Sequence, residues 1–218
     1  MEKKNMVLLT VIAVATLLVA VVGATFAYFT ASVGGTGNTA NNTTSVTTVT
    51  LASVTYEGTS SIDDLTQNGV YPGWKGVQTF TIELPENTPA DAVGKYQVNI
   101  TPNVPSDFAD DITYSVYKTT NPGTQSVTRV AGTVQQTTVD GEERYSVNDT
   151  LTVSDGFTAF KTGTLTGSAA ITVDTVSYDG SLAKTTYYVV YEYANADRDQ
   201  SAAMGDTFTA TVNVELIK

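Results

Sequence analysis

The chain of 218 residues contains no cysteine and no histidine. Without cysteine it has no disulfides and no thiol chemistry, so packing and strand pairing must supply its stability. Without histidine it lacks the commonest general base and the commonest transition-metal ligand. No pairing of a nucleophile with a base stands out among the remaining residues. We therefore predict no catalytic residue, no cofactor and no metal site, and we do not expect an enzyme.

Positive charge is also scarce. Eleven Lys and Arg residues stand against 22 Asp and Glu residues, which gives a formal net charge of −11. A field of this sign repels phosphate backbones and anionic lipid surfaces. Nucleic acid is therefore not expected as a partner.

The longest apolar run lies at the N-terminus, where Lys3 and Lys4 precede an almost unbroken apolar stretch over residues 6–29. A basic head, an apolar body and small residues at the exit are typical of a secretory signal. We predict a signal peptide over residues 1–27, cut by a signal peptidase between Ala27 and Tyr28, with a cut after Ala24 as the alternative position. Because the run is close to the roughly 20 residues that span a bilayer, an uncleaved membrane anchor is the alternative. Both interpretations place the rest of the chain outside the cell, secreted into an extracellular matrix or held at the cell surface.

Residues 28–50 follow the signal and are rich in Gly, Asn, Thr and Ser. Such a composition does not bury a core by itself. We interpret this stretch as an N-terminal arm that can add as a strand to the sheet of another subunit, with a disordered tether as the alternative. The apolar residues expected to anchor the arm are Tyr28, Phe29, Val33, Val46 and Val49.

Residues 51–218 show hydrophobic periodicity of two. In the C-terminal segment, Phe208, Ala210 and Val212 alternate with threonines, as in a half-buried antiparallel strand. The pattern predicts one all-β domain, an antiparallel two-sheet sandwich of jelly-roll type. Tight turns are expected at 121–123, 140–141, 155–156 and 179–180, and short helical turns at 60–68 and 155–162. The strand candidates are 46–56, 77–84, 96–101, 112–118, 126–135, 144–153, 169–178, 185–194 and 207–216.

The aromatic residues are mostly tyrosines. The twelve tyrosines fall on both faces of the predicted strands, so one set is expected in the core and the other toward solvent or a partner. Trp74, the sole tryptophan, is expected to pack in the core or in a turn rather than to stack on a sugar.

Three acidic clusters are candidate calcium sites: Asp63-Asp64, Asp110-Asp111 and Asp197-Arg198-Asp199. None has the regular ligand spacing of a calcium loop, so solvated turns are the default interpretation. The S-x-x-K match at Ser115 and Lys118 is also set aside, because residues three apart on a strand point to opposite faces. A carboxylate-pair glycosidase needs only Asp and Glu, but nothing in the sequence localises such a pair.

Three motifs resemble the TasA/camelysin family: Gly-Ala-Thr-Phe-Ala-Tyr-Phe-Thr at 23–30, Tyr-Pro-Gly-Trp at 71–74, and Tyr-Glu-Tyr-Ala-Asn at 191–195 with Asp199-Gln200 and Met204-Gly205-Asp206. The resemblance implies a jelly-roll sandwich exported by Gram-positive bacteria through a dedicated signal peptidase. It also implies a subunit of biofilm-matrix fibres, in which the N-terminal segment of one subunit is inserted into the next. The metalloprotease label of camelysin-type members is not carried over, because this chain has no histidine.

The sequence therefore favours a fibre subunit whose partner is another copy of itself, with a related matrix subunit as a further expected partner. A membrane-anchored binding module or adhesin, held by residues 6–29, is the alternative, and an enzyme is the least favoured interpretation.

Overall fold

The computed structural model describes residues 46–51, 59–68, 70–108, 110–139, 141–196, 198–203 and 206–217. The chain divides into the units Met1–Asn38 and Thr39–Lys218, and all described residues belong to the second unit. In these ranges no helix is long and apolar enough to cross a membrane. The predicted signal peptide and its cleavage site lie outside the described residues.

The strands are β1 (Val46–Thr50), β2 (Thr59–Asn68), β3 (Lys75–Glu83), β4 (Val93–Asn103), β5 (Ile112–Thr119), β6 (Val127–Val130), β7 (Val134–Val139), β8 (Glu142–Val147), β9 (Thr150–Val153), β10 (Lys161–Thr164), β11 (Ile171–Asp179), β12 (Thr185–Tyr193) and β13 (Thr207–Ile217).

Two sheets form the sandwich. The five-stranded sheet has the order β1-β3-β12-β5-β10, and the four-stranded sheet has the order β11-β4-β13-β2. Apart from β1, the chain fills the sheets in the order of a jelly roll, with β2, β4, β11 and β13 in one and β3, β5, β10 and β12 in the other. The predicted all-β antiparallel sandwich is therefore confirmed.

The main core lies between the two sheets and follows the periodicity of two. On β13, Phe208, Ala210, Val212 and Val214 are buried, while Thr209, Thr211 and Asn213 between them are half-buried. Phe80 of the five-stranded sheet stacks on its neighbour Tyr187, with ring centroids 5.1 Å apart. The alternation read from the sequence is therefore the alternation between core and solvent.

Strand β12 departs from this alternation because it is buried on both faces. Tyr187, Tyr191 and Tyr193 face the main core, whereas Tyr188 and Val190 face the opposite way and are buried as well. A second cluster covers them, formed by Val77, Val127, Phe157, Tyr188 and Val190. The expectation that the second set of tyrosines faces solvent or a partner is wrong for Tyr188, because an earlier part of the same chain, which includes Val127 and Phe157, covers that face.

The two predicted helical turns are also wrong. The segment 60–68 belongs to β2, which pairs antiparallel with β13, and the segment 155–162 contains a turn and the start of β10. The segment 60–68 is rich in Ser and Asp and lacks the β-branched and aromatic composition of a typical strand. Pairing with β13, which is far away in the sequence, decides the conformation of the segment 60–68.

Residues 127–153 form a long two-stranded hairpin between β5 and β10. Its base is β6 paired with β9, its outer half is β7 paired with β8, and the ladder breaks around Gly132. The outer turn contains Gly141 with φ of 86°, in the left-handed region that a two-residue hairpin turn requires. Gly141 of the predicted turn at 140–141 thus lies at the tip of the hairpin, and Asp140 lies outside the described residues.

Candidate functional site

The C-terminal end of the predicted arm forms a strand. Strand β1 pairs in parallel with β3 and occupies its free edge, and the backbone N–H of Leu51 donates to the carbonyl of Glu83 at 3.1 Å. Val49 and Leu51 are buried in the main core, whereas Thr48 and Thr50 are exposed. The edge of β3 therefore accepts an extended segment that carries two apolar side chains into the sandwich.

The predicted arm anchors are only partly within the described chain. Val46 lies on β1 opposite Thr79, and Val49 lies opposite Ile82. Tyr28, Phe29 and Val33 lie outside the described residues, so their role stays a prediction. The structure thus brings the last two anchors to the edge of their own subunit's sheet.

A polar network joins the two sheets on the other side of the sandwich. The Lys118 ammonium lies 2.8 Å from Oδ2 of Asp174, and the Tyr187 hydroxyl donates to the same oxygen at 2.7 Å. The hydroxyl of Tyr96 lies 2.9 Å from that of Tyr187. Asp174 follows a bulge in β11, which turns its side chain toward these partners.

Burial makes this network sensitive to alkaline pH. Desolvation raises the pKa of Tyr96 to about 12, and desolvation with the nearby Tyr96 and Asp174 raises the pKa of Tyr187 well above its ordinary value of 10.0. In this range the unfolded chain releases its tyrosine protons and the folded chain keeps them. The resulting stabilisation is complete below pH 10 and is lost as the pH rises through the folded pKa values.

We expect the melting temperature of the protein to fall steeply as the pH rises above about 10. In Tyr96→Phe one titrating hydroxyl is removed, so the fall should be less steep, from a starting stability lowered by about 1 kcal/mol for the lost hydrogen bond. Thermal unfolding of both proteins, followed between about pH 9 and about pH 12, measures the two slopes. Equal slopes for the two proteins would contradict a raised pKa at Tyr96.

The base of the hairpin is fastened by a buried ion pair. The Asp149 carboxylate is fully buried and accepts from Nε and Nη2 of Arg129 at 2.8 and 2.7 Å. It also accepts from the backbone N–H groups of Lys75 at 3.0 Å and Gly132 at 2.7 Å. The guanidinium of Arg129 lies 6.0 Å from the ring of Trp74. These contacts tie the hairpin to the start of β3, and nothing in the sequence pattern had indicated them.

The Tyr71–Trp74 turn, one of the motifs in the family resemblance, is hydrogen-bonded to the end of β8. The backbone N–H of Val147 donates to the carbonyl of Pro72 at 2.8 Å. Gly73 has φ of 91°, and a Cβ there would lie 2.0 Å from the carbonyl oxygen of Val147, so only glycine fits. Trp74 is buried and meets Phe208 edge-on, which confirms its predicted place in the core.

Several charged side chains, including those of Asp111 and Lys118 among the sequence candidates, have structural partners. Asp111 accepts from Nε2 of Gln200 at 2.6 Å and from the guanidinium of Arg198. Lys118 pairs with Asp174 as described above, and Lys184 pairs with Glu83 at 2.8 Å. Throughout the described ranges no three His, Cys, Asp or Glu side chains stand close enough to hold a metal ion. Asp197 lies outside the described residues.

Comparison with known proteins does not identify a family for this chain. No protein-family model and no curated protein matches the chain. The chain is similar to the insecticidal delta-endotoxin Cry8Ea1 of Bacillus thuringiensis, with 13% identity and a TM-score of 0.25 over 71% of this chain and 19% of the toxin. It is also similar to CorA, a surface-associated copper-binding protein of Methylomicrobium album BG8, with 10% identity and a TM-score of 0.31 over 80% of this chain and 100% of CorA. Scores this low do not establish a close structural relationship.

Proposed function

We propose that this protein is an exported structural subunit of an extracellular biofilm-matrix fibre, similar to the TasA/camelysin family. Subunits join head-to-tail when the N-terminal arm of one is inserted into a sheet of the next. The observation that carries the proposal is β1, where the end of the arm pairs as a strand and buries Val49 and Leu51. An arm with this ability, given a second subunit's sheet, makes a heterologous contact that propagates as a filament.

The charge distribution supports the same assembly. Residues 5–56 contain no charged side chain, although the whole chain carries a net charge of −11. Subunits therefore repel one another over most of their surface, while the arm brings no negative charge to its neighbour. Because salt screens the repulsion, we expect filaments to form more readily as the ionic strength rises.

The experiment compares two versions of the protein by negative-stain electron microscopy: one begins at Tyr28, and the other begins at Leu51 and lacks the arm. Filaments from the first and monomers from the second are the expected result. Circular dichroism checks that the shorter version keeps its strands.

Monomers from both versions, at high concentration and in salt, would overturn self-assembly. Retention of the full chain in the membrane fraction would then favour the alternative, a surface binding module anchored by residues 6–29.

A further inference from the structure

Strand β7 has an open edge in the described part of the chain, where it pairs with β8 alone. All six of its residues are exposed, including Val134 at 55% and Val139 at 38%. The strand contains no charge, no proline and no glycine. We propose that this edge accepts the arm residues Tyr28–Val33 of a second copy. This proposal rests on the proposed fibre function and names the surface that receives the arm.

The geometry of the hairpin shows which backbone groups are available. The two-residue turn makes Val139 and Glu142 the closing hydrogen-bonded pair, and such pairs then alternate along the ladder. Hence the N–H and C=O groups of Val134, Gln136 and Thr138 point away from β8. These three residues present the donors and acceptors that an added strand requires.

The edges of the two sheets of the sandwich are protected against an added strand. The edge of β3 is already occupied by β1, which itself contacts β2 of the facing sheet. Strand β11 is bulged beside Asp174, and β10 is only four residues long and begins with Lys161. Strand β2 carries Asp63 and Asp64. Bulges, short length and charge are the means by which natural sheets blunt their edges, and β7 has none of them.

The arm has the matching chemistry. Residues 28–33 read Tyr-Phe-Thr-Ala-Ser-Val, without charge and with Phe29, Ala31 and Val33 at alternate positions, as on one face of a strand. Twelve residues separate Val33 from β1, and at about 3.3 Å per residue they reach up to about 40 Å. A six-residue strand from a second copy would pair with β7 along its whole length. Because Val134 and Val139 lie on opposite faces of β7, the apolar face of the arm would lie beside one of these two valines.

The absence of native cysteine allows a direct test by disulfide trapping. A copy with Thr30→Cys is mixed with differently tagged copies that carry one cysteine on β7, at Gln135, Gln136, Thr137 or Thr138. Disulfides form only when the two Cα atoms lie within about 7 Å. We expect a mixed disulfide with one or two of these four positions and none with Thr162→Cys on the edge of β10.

A second test uses the backbone. Gln136→Pro removes a backbone N–H that faces the open edge of β7. Because this N–H does not pair with β8, the hairpin should persist. We expect the critical concentration for filament formation to rise by about tenfold. Thr138→Lys should act in the same direction, whereas the matched exposed substitution Thr162→Lys should leave assembly unchanged. Unchanged fluorescence of Trp74 shows that the hairpin base is intact.

The experiments distinguish a failure of β7 as the acceptor from a failure of the proposed fibre function. Filaments that form normally with Gln136→Pro, or an arm cysteine that is trapped on β10 instead, would overturn β7 as the acceptor and leave the fibre function standing. Disulfides between two β7 cysteines would show that the hairpins pair with each other, and would overturn the arm as the occupant. An absence of both filaments and mixed disulfides would overturn both proposals.

Discussion

Replacing Asp149 with alanine is expected to lower the free energy of unfolding by about 3–5 kcal/mol. The Asp149 side chain has no exposed surface, and that of Arg129 is 12% exposed. Removing the carboxylate leaves the guanidinium largely buried without its partner, and deprives the N–H groups of Lys75 and Gly132 of their acceptor. An unpaired buried charge is among the most costly defects in a folded protein.

Urea denaturation, followed by the fluorescence of Trp74, measures this change. The matched control is Glu83→Ala, which breaks the ion pair with Lys184, whose side chain is 63% exposed. Exposed pairs contribute about 0–1 kcal/mol, so the control should change little. Equal effects of the two substitutions would show that the buried pair does not fasten the hairpin.

Phe208→Ala is expected to destabilise the protein by a similar amount, about 3–5 kcal/mol. Phe208 is fully buried on β13, and its ring meets those of Trp74 at 5.5 Å and Phe108 at 5.7 Å, both edge-on. The truncation opens a cavity between the two sheets, which close-packed neighbours fill only in part. Because the lost ring touches Trp74, the fluorescence of the folded state should change as well.

Phe160→Ala is the matched control, since it removes the same atoms from a side chain that is 40% exposed. Its ring lies under the ammonium of Lys118 at 4.6 Å, an exposed contact of small energy. We expect a change within about 1 kcal/mol, measured by the same urea titration. A large loss here, or a small one for Phe208, would mean that the core does not lie where the structure places it.

The jelly-roll sandwich could be predicted in outline because periodicity of two is a local property of each strand. Phe208, Ala210 and Val212 alternate with threonines on β13, and the structure buries them as the pattern indicates. Strand β2 escaped prediction because its Ser- and Asp-rich segment has weak strand propensity of its own. Its conformation comes from β13, which pairs with it from more than a hundred residues away.

The candidate site, like the fold, could be predicted only in part from the sequence. The Gly-, Asn-, Thr- and Ser-rich composition of residues 28–50 predicted an arm, and the structure finds Val46–Thr50 as a strand with Val49 buried. No sequence signal connected Arg129 with Asp149, because their contact depends on how the hairpin folds back on itself. The open edge of β7 was equally hidden, since an edge is defined by the strands that do not pair with it.

The sequence by itself determined the charge of the protein, the exclusion of thiol and imidazole chemistry, the apolar N-terminal run and the alternation of most strands. These follow from composition and from contacts between near neighbours in the chain. Only the tertiary structure decided which strands pair, that Tyr188 is covered by residues 127–157, and which sheet edges are closed. Those outcomes depend on contacts between distant segments, whose partners are chosen by the packing of the whole domain rather than by any local pattern.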